Sequence, residues 1–446
     1  MLLIPLLVLR PAPTLWDATE QVARAEWAQR DGSGLYGAGV AYCGGKLVLT
    51  GGKSELLSAV PVVEHGTNEV WVSASMGASW VQANASTSFN RSTFSPRFLH
   101  ALWCTPKGRL VLYGGAALAT SPGHGDTRVG QSDVWHSDDV GATWTRVVEF
   151  APWGCAGGCA ATGDENHFPG RTAAYVWRNG TADQLRMFAV VDREKGAGTE
   201  VWSSDDDGVS WAQRNTAPTG FNNSSVPCGG SSSAARAPGD APMFVATASG
   251  VLYHAGGTLR SSAVANEDVC PALSDVFRSI DAGATWDRIT DAAPWPPRSY
   301  GTMFALGERI YVIGGRRIPC VPSTADHSTC NFNDAWSSVD GIAWVRELPF
   351  APWQARSKMS AEVVKYDADT GVGTVALLTG EELWYDSDTC SSFPENQCTR
   401  YAADVWLASV AQARPAGAGS GDADQLPVID VVVCTAASLL SAVALV

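Results

Sequence analysis

Four arginines recur at equivalent places in the 446-residue chain, and their side chains have the type and spacing best suited to chemistry. They are Arg97, Arg171, Arg298 and Arg356. A guanidinium group offers a planar fork of donors, which suits a carboxylate, a sulfate or a phosphate. The same group also satisfies backbone carbonyls or acidic neighbours inside a fold. The pattern therefore predicts either a ring of anion-binding groups or a structural role for these residues.

Trp384 is a second ligand-binding candidate, because it lies outside the repeated tryptophan positions and can stack on a sugar. The histidines are scattered and lack the H-x-H or H-E-x-x-H spacing of zinc sites. The chain also lacks a phosphate-binding loop, a dinucleotide fingerprint and a G-x-S-x-G motif. We therefore expect no metal and no cofactor, and we assign no catalytic residue.

The pattern S-x-D-x-G-x-x-W organises the chain around these candidates. It occurs at residues 137–144, 204–211 and 279–286, in shortened form at 338–344, and in degenerate form at 73–80; we call these five stretches the anchor turns. Short Ser and Asp side chains bond to nearby backbone amides, and Gly takes a positive φ, so the pattern predicts a tight turn. The residues expected to build the three complete turns are Ser137, Asp139, Gly141, Trp144, Ser204, Asp206, Gly208, Trp211, Ser279, Asp281, Gly283 and Trp286.

The anchor turns resemble the Asp-box of sialidases and related proteins. The Gly-Gly pairs that end apolar runs at Gly52, Gly115, Gly257 and Gly315 resemble kelch repeats. Both families are β-propellers, and the resemblance covers residues 25–410. It implies an all-β fold, whereas activity does not follow from it, because propellers carry many unrelated functions.

The number of blades follows from a second repeat. An Asp or Glu followed by an apolar residue and Trp or Phe recurs at the third-strand position of six repeats, ending at residues 71, 135, 202, 277, 336 and 406. The chain is therefore predicted to form a six-bladed β-propeller of four-stranded blades. Residues 25–29 (AEWAQ) resemble the strand after each anchor turn but follow no such turn. We expect this N-terminal strand to complete the last blade and close the ring.

The cysteines and the loops favour an extracellular environment. Ten of the eleven cysteines lie before the C-terminal tail, and several N-x-S/T triplets accompany them. The repeat places the long loops on one face of the propeller, and these loops contain most of the cysteines. The pairings that we expect are Cys43 with Cys104, Cys155 with Cys159, Cys228 with Cys270, Cys320 with Cys330, and Cys390 with Cys398.

Both ends of the chain have the composition of targeting segments. Residues 1–20 begin with an apolar run that is typical of a signal peptide. Residues 411–425 form a small-residue linker, and residues 426–446 are mostly apolar. This end predicts a glycosylphosphatidylinositol signal or, alternatively, a membrane anchor. The protein is therefore expected in the secretory pathway, outside the cell or tethered to its surface.

The expected function is recognition. The net charge of −14, without runs of Lys or Arg, argues against nucleic acid as a partner. We expect a non-catalytic propeller that binds a protein or a glycan through its disulfide-stapled loops. The alternative is a glycoside hydrolase of sialidase type, in which arginines grip a sugar carboxylate. Residues 317–319 (RIP) match part of a sialidase motif, but they follow four anchor turns instead of preceding them.

Overall fold

The structure is a computed structural model that describes residues 16–24, 34–56, 63–84, 93–119, 127–154, 171–179, 182–193, 198–215, 243–258, 271–318, 330–385 and 397–411. Its regular elements in these ranges are all β-strands. None of the described residues forms a helix that could span a bilayer. The predicted linker and C-terminal tail lie outside the described residues, as do residues 1–15.

The described part of the chain contains six four-stranded antiparallel sheets, and each is one blade of a β-propeller. Blades 1 and 2 contain β2 (Gly39–Cys43), β3 (Lys46–Thr50), β6 (Val70–Ser73) and β7 (Val81–Asn84), then β8 (Ala101–Cys104), β9 (Leu110–Tyr113), β12 (Val134–Ser137) and β13 (Thr145–Val148). Blades 3 and 4 contain β14 (Arg171–Asn179), β15 (Ala182–Arg193), β16 (Gly198–Ser204) and β17 (Ala212–Asn215), then β18 (Met243–Ala246), β19 (Leu252–Ala255), β20 (Val276–Ser279) and β21 (Asp287–Thr290). Blade 5 contains β22 (Thr302–Leu306), β23 (Arg309–Ile313), β24 (Ala335–Ser338) and β25 (Val345–Leu348).

The sixth blade joins the two ends of the ring. It contains β26 (Ser360–Asp367), β27 (Val372–Leu378), β30 (Asp404–Ala411) and, as its outer strand, β1 (Trp16–Arg24). The expected closure by an N-terminal strand is thus confirmed, but its assignment to residues 25–29 was wrong. β1 lies earlier, begins within the range 1–20 that the sequence assigned to a signal peptide, and pairs with β30 from Asp404 to Val410.

Among the described residues, three blades carry an additional two-stranded ribbon between their second and third strands. The ribbons are β4 (Lys53–Leu56) with β5 (Val63–Gly66), β10 (Ala116–Ala119) with β11 (Thr127–Gly130), and β28 (Glu381–Tyr385) with β29 (Gln397–Tyr401). They project on the face opposite the anchor turns, because they follow the end of a second strand. We call this the loop face; the ribbons give its long connections a regular base.

The first strand of each blade lies innermost. β2 packs beside both β8 and β26, and the same contact continues through β14, β18 and β22. Apolar side chains fill the spaces between neighbouring blades; one such cluster combines Leu47 and Leu49 of blade 1 with Ala376 and Val405 of blade 6. The core is therefore a series of interblade layers, as expected for a repeat architecture.

One disulfide cross-links two neighbouring innermost strands. Cys43 at the end of β2 is bonded to Cys104 at the end of β8, which confirms that predicted pairing. Cys330 is also disulfide-bonded. Cys398 lies in β29, but its side chain is outside the described part of the structure, and the remaining cysteines of the predicted pairings lie outside the described residues.

Candidate functional site

Three of the four candidate arginines lie inside the protein. The side chains of Arg97, Arg298 and Arg356 are at most 1% exposed, and each forms a two-pronged ion pair with an aspartate that opens a third strand. The partners are Asp133, Asp334 and Asp404 respectively. The same aspartates accept a hydrogen bond from the indole of the Trp two residues later. Each unit links the entry to one blade with that blade's third strand.

Arg298 illustrates how completely the guanidinium is used. Its Nη1 and Nη2 donate to the two carboxylate oxygens of Asp334 at 2.7 and 2.9 Å. Nη1 also donates to the Gly314 carbonyl at 2.7 Å, and Nε donates to the Pro296 carbonyl at 3.2 Å. Burial would raise the pKa of Asp334, but hydrogen bonding and attraction by Arg298 hold it below the ordinary value. This arrangement matches the structural alternative that the sequence left open.

The structure gives less detail on the other two ligand-binding candidates. Arg171 begins β14, at the place in blade 3 that corresponds to the start of an innermost strand. Trp384 lies in β28, on the blade 6 ribbon of the loop face. Their side chains lie outside the described part of the structure, so the anion-binding and sugar-stacking roles remain predictions.

The anchor turns have the hydrogen bonds that their sequence predicts. In the blade 2 turn, Ser137 Oγ accepts from the Gly141 amide, and Asp139 accepts from the amide and the hydroxyl of Thr143. The Trp144 indole then donates to the Gly141 carbonyl at 3.0 Å. The turns at 204–211 and 279–286 repeat this pattern. The side chains of these residues stabilise the turns, so we assign them a structural role.

A different group of ionisable side chains meets on the loop face, where blades 5, 6 and 1 come together. We call it the three-blade cluster, and its members are Tyr36, Lys53, Tyr300, Arg316, Lys358 and Glu381. Lys358 Nζ lies 2.6 Å from Glu381 Oε2 and 4.4 and 4.9 Å from the ring centroids of Tyr36 and Tyr300. Arg316 Cζ also lies 4.9 Å from the Tyr300 ring centroid.

Positive charge dominates the three-blade cluster. Burial alone would raise the pKa of Glu381, but attraction by Lys358, Arg316 and Lys53 outweighs it and lowers that pKa. Arg356, Glu382 and Asp404 lie beside the cluster and bring one positive and two negative charges. With these neighbours included, the described residues of this region contain four cations and three carboxylates, although the chain as a whole has a net charge of −14.

The backbone that presents the cluster is conformationally unusual. Tyr300 and Lys358 both have a φ of 54°, and Leu99 at the equivalent position of blade 2 has a φ of 57°. Residues other than glycine rarely adopt this left-handed backbone conformation. Those that do are held in it by the surrounding structure, and they occur frequently at functional sites. A hydrogen bond of 2.9 Å from the Lys358 amide to the Tyr300 carbonyl fixes the two residues together across blades.

Reasoning from the sequence missed this cluster. It selected the arginines instead of the residues two places after them. Leu99, Tyr300 and Lys358 each stand at that position, after Arg97, Arg298 and Arg356. The repeat therefore contained the signal: the arginine lies at the start of the innermost strand, and the residue two places later has a positive φ.

The described residues contain no group of three or more His, Cys, Asp or Glu side chains that could hold a metal ion.

The comparisons with known proteins concern the fold. No family model matches the sequence, and no curated protein matches it. Among solved structures, that of YjhT is similar with 14% identity and a TM-score of 0.42, over 70% of this chain and 83% of the other. A protein of unknown function from Dyadobacter fermentans is similar with 11% identity and a TM-score of 0.47, over 88% and 98%. At such low identity, neither similarity carries an assignment of function.

Proposed function

We propose that this chain is a non-catalytic propeller of the kelch and Asp-box type, which binds a protein or a glycan on its loop face in the extracellular space. The proposal is carried by the way the arginines are used. Arg97, Arg298 and Arg356, which are themselves buried, donate their hydrogen bonds to aspartates and backbone carbonyls. A hydrolase of sialidase type needs arginines that converge on the substrate instead.

The loop face supports recognition by its construction. Two-stranded ribbons extend from blades 1, 2 and 6 on this side, and the three-blade cluster lies at their base. A rigid scaffold with long connections on one face is a common arrangement for binding sites. The Cys43–Cys104 disulfide favours the secretory pathway, as does the number of cysteines. A lipid or transmembrane tether through residues 426–446 belongs to the same proposal.

The proposal is tested by combining a turnover assay with a binding screen on the purified full-length chain. We expect no hydrolysis of a panel of fluorogenic sialosides, beside a known sialidase as positive control, and we expect specific retention on a glycan array or by cell-surface proteins. Turnover above the uncatalysed rate would show an enzyme and overturn the non-catalytic assignment. Folded protein that bound neither class of ligand would contradict a recognition function.

A further inference from the structure

Resting on the proposed binding function, we propose that the three-blade cluster binds the carboxylate of an acidic sugar, with Lys358 and Arg316 as the charged contacts and the Tyr300 ring beside them. This assigns the ligand chemistry to residues different from the buried arginines. The proposed binding site lies in one sector of the loop face, where blades 5, 6 and 1 meet.

The first argument is geometric. Lys358 and Arg316 both lie 4.9 Å from the centroid of the Tyr300 ring, so two cations and an aromatic face share one small region. Lys358, Arg316 and Tyr300 are partly exposed, whereas Lys53 and Tyr36 beneath them are 3% and 2% exposed. A ligand therefore meets the first three residues, and the deeper pair supports them.

The second argument is electrostatic. Lys358 is paired with Glu381, a carboxylate 8% exposed, which is held in its charged form by the cations around it despite burial. The cluster is thus already arranged to stabilise one carboxylate, and cations remain in excess among its described members. A ligand carboxylate can therefore interact with the same cations that stabilise Glu381.

The third argument concerns the class of ligand. The partly exposed residues of the cluster couple two cations with one aromatic ring, which suits a sugar ring that carries a carboxylate. A sugar acid can place its carboxylate near Lys358 and Arg316 while its C–H face packs on Tyr300. The hydrogen bond from the Lys358 amide to the Tyr300 carbonyl holds the backbone of both residues in place before a ligand binds, which reduces the entropy lost on binding.

The test is isothermal titration of the full-length chain with matched sugars. The probes are trigalacturonate, its uncharged methyl ester, sialyllactose and lactose, together with a peptide rich in glutamate. We expect at least one of the two acidic sugars to bind, the corresponding neutral sugar to bind at least about tenfold more weakly, and binding to weaken with added salt. If neither acidic sugar binds, if the neutral sugars bind equally, or if the peptide is preferred, the proposal is wrong.

Three variants assign the binding to the cluster. Lys358→Gln and Arg316→Gln should each weaken binding about tenfold, whereas Glu381→Gln should strengthen it, because an internal competitor for the cations is removed. The exposed Lys107 lies on the anchor-turn side of blade 2, and Lys107→Gln should leave binding unchanged.

The opposite signs separate binding from folding. A purely structural ion pair predicts that the Lys358 and Glu381 variants both lose stability and that neither gains affinity. If Lys358→Gln does not fold, the affinity of Glu381→Gln decides the question, and weaker or unchanged binding in it overturns the proposal. These outcomes are independent of the turnover assay, so this inference and the non-catalytic assignment fail separately.

Discussion

Glu362 is a carboxyl group whose ionisation is strongly altered by the fold. It lies in β26, and its carboxylate accepts a hydrogen bond of 2.8 Å from the Tyr42 amide in β2, across the junction between blades 6 and 1. Burial raises its pKa from 4.5 to about 8, although the hydrogen bond opposes this shift. At neutral pH the junction therefore contains a neutral carboxyl group.

This shift predicts how stability depends on pH. A raised pKa means that the folded state binds a proton that the unfolded state releases, so the contribution of Glu362 to stability is full below pH 4.5 and is lost as the pH rises through about 8. Glu362→Gln keeps an acceptor for Tyr42 but cannot ionise. It should be more stable than wild type by about 1–3 kcal/mol at pH 8, and the difference should vanish at pH 4.

Thermal unfolding at several pH values measures this difference. The exposed carboxylate of Glu149 provides the control, because Glu149→Gln should leave the pH profile unchanged. A Glu362→Gln variant with the same pH profile as wild type would show that Glu362 titrates normally.

The buried arginines make a second prediction at the scale of the residue. Arg298→Met leaves the Asp334 carboxylate and the Gly314 carbonyl without their donor in a buried setting, so it should cost about 3–5 kcal/mol. The exposed pair of Arg146 and Glu149 offers a matched comparison, and Arg146→Met should cost less than about 1 kcal/mol. Chemical denaturation measures both, and a similar small loss for the two variants would contradict a structural role for Arg298.

At the scale of the element, the anchor turns connect neighbouring blades. A Cβ on Gly141 would lie 2.7 Å from Val70 Cγ1 in the third strand of blade 1, and one on Gly208 would lie 3.0 Å from Val134 Cγ1 in blade 2. The glycine of each turn thus provides both a positive φ and room for the preceding blade. The shortened blade 5 turn differs, since its Gly341 approaches Tyr253 instead of a third-strand valine.

The two demands on this glycine can be separated by mutation. Gly141→Ala and Gly108→Ala both place a side chain at a positive φ, of 90° and 80°, but the added Cβ of Gly108 would have no atom within 4 Å. Gly108→Ala should therefore cost about 1 kcal/mol, and Gly141→Ala about 2–4 kcal/mol because it also collides with Val70. Equal losses in urea unfolding would mean that the contact between blades is relaxed at little cost.

The repeat made these elements predictable, whereas the exceptions to it were not. Blade 5 lacks the residue before the glycine, which has a positive φ in the four other anchor turns (Met76, Val140, Asp207 and Ala282). Blade 3 has Val191-Asp192, and blade 6 has Thr379-Gly380, where the other four blades have Gly-Gly. In blade 3, β15 and β16 continue as one long hairpin. A local pattern reports local geometry, so it identifies the turns and strands. It does not report contacts between blades, and the three-blade cluster consists of such contacts.

At the scale of the whole molecule, ring closure depends on one strand. β1 pairs with β30 along its length and covers an edge of blade 6 that would otherwise be open. Deletion of residues 1–24 should therefore lower the unfolding temperature and promote self-association, whereas deletion of residues 1–15 should do neither. Light scattering and thermal unfolding test this. A monomeric Δ1–24 protein with unchanged stability would show that β1 is dispensable.

The placement of that strand shows the limit of prediction at this scale. The sequence indicated that an N-terminal strand must complete the last blade, because the third-strand motif at 404–406 had no partner after it. It did not indicate which residues, since an outer strand is selected by pairing with β30 more than by its own pattern. Residues 16–24 lack the Trp-Ala-Gln resemblance of residues 25–29, yet they form the pairing.

Because the ring is closed, the position of the chain termini determines which blade comes first in the sequence. Trp16 pairs with Val410, so the first and last residues of the ring are neighbours in one sheet. A short linker between them would make the backbone continuous, and new ends could be opened at the tight hairpin turn of blade 1, at the exposed Gly44-Gly45 between β2 and β3. The propeller is therefore suited to circular permutation, in which blade 6 would become an ordinary blade made from one uninterrupted segment.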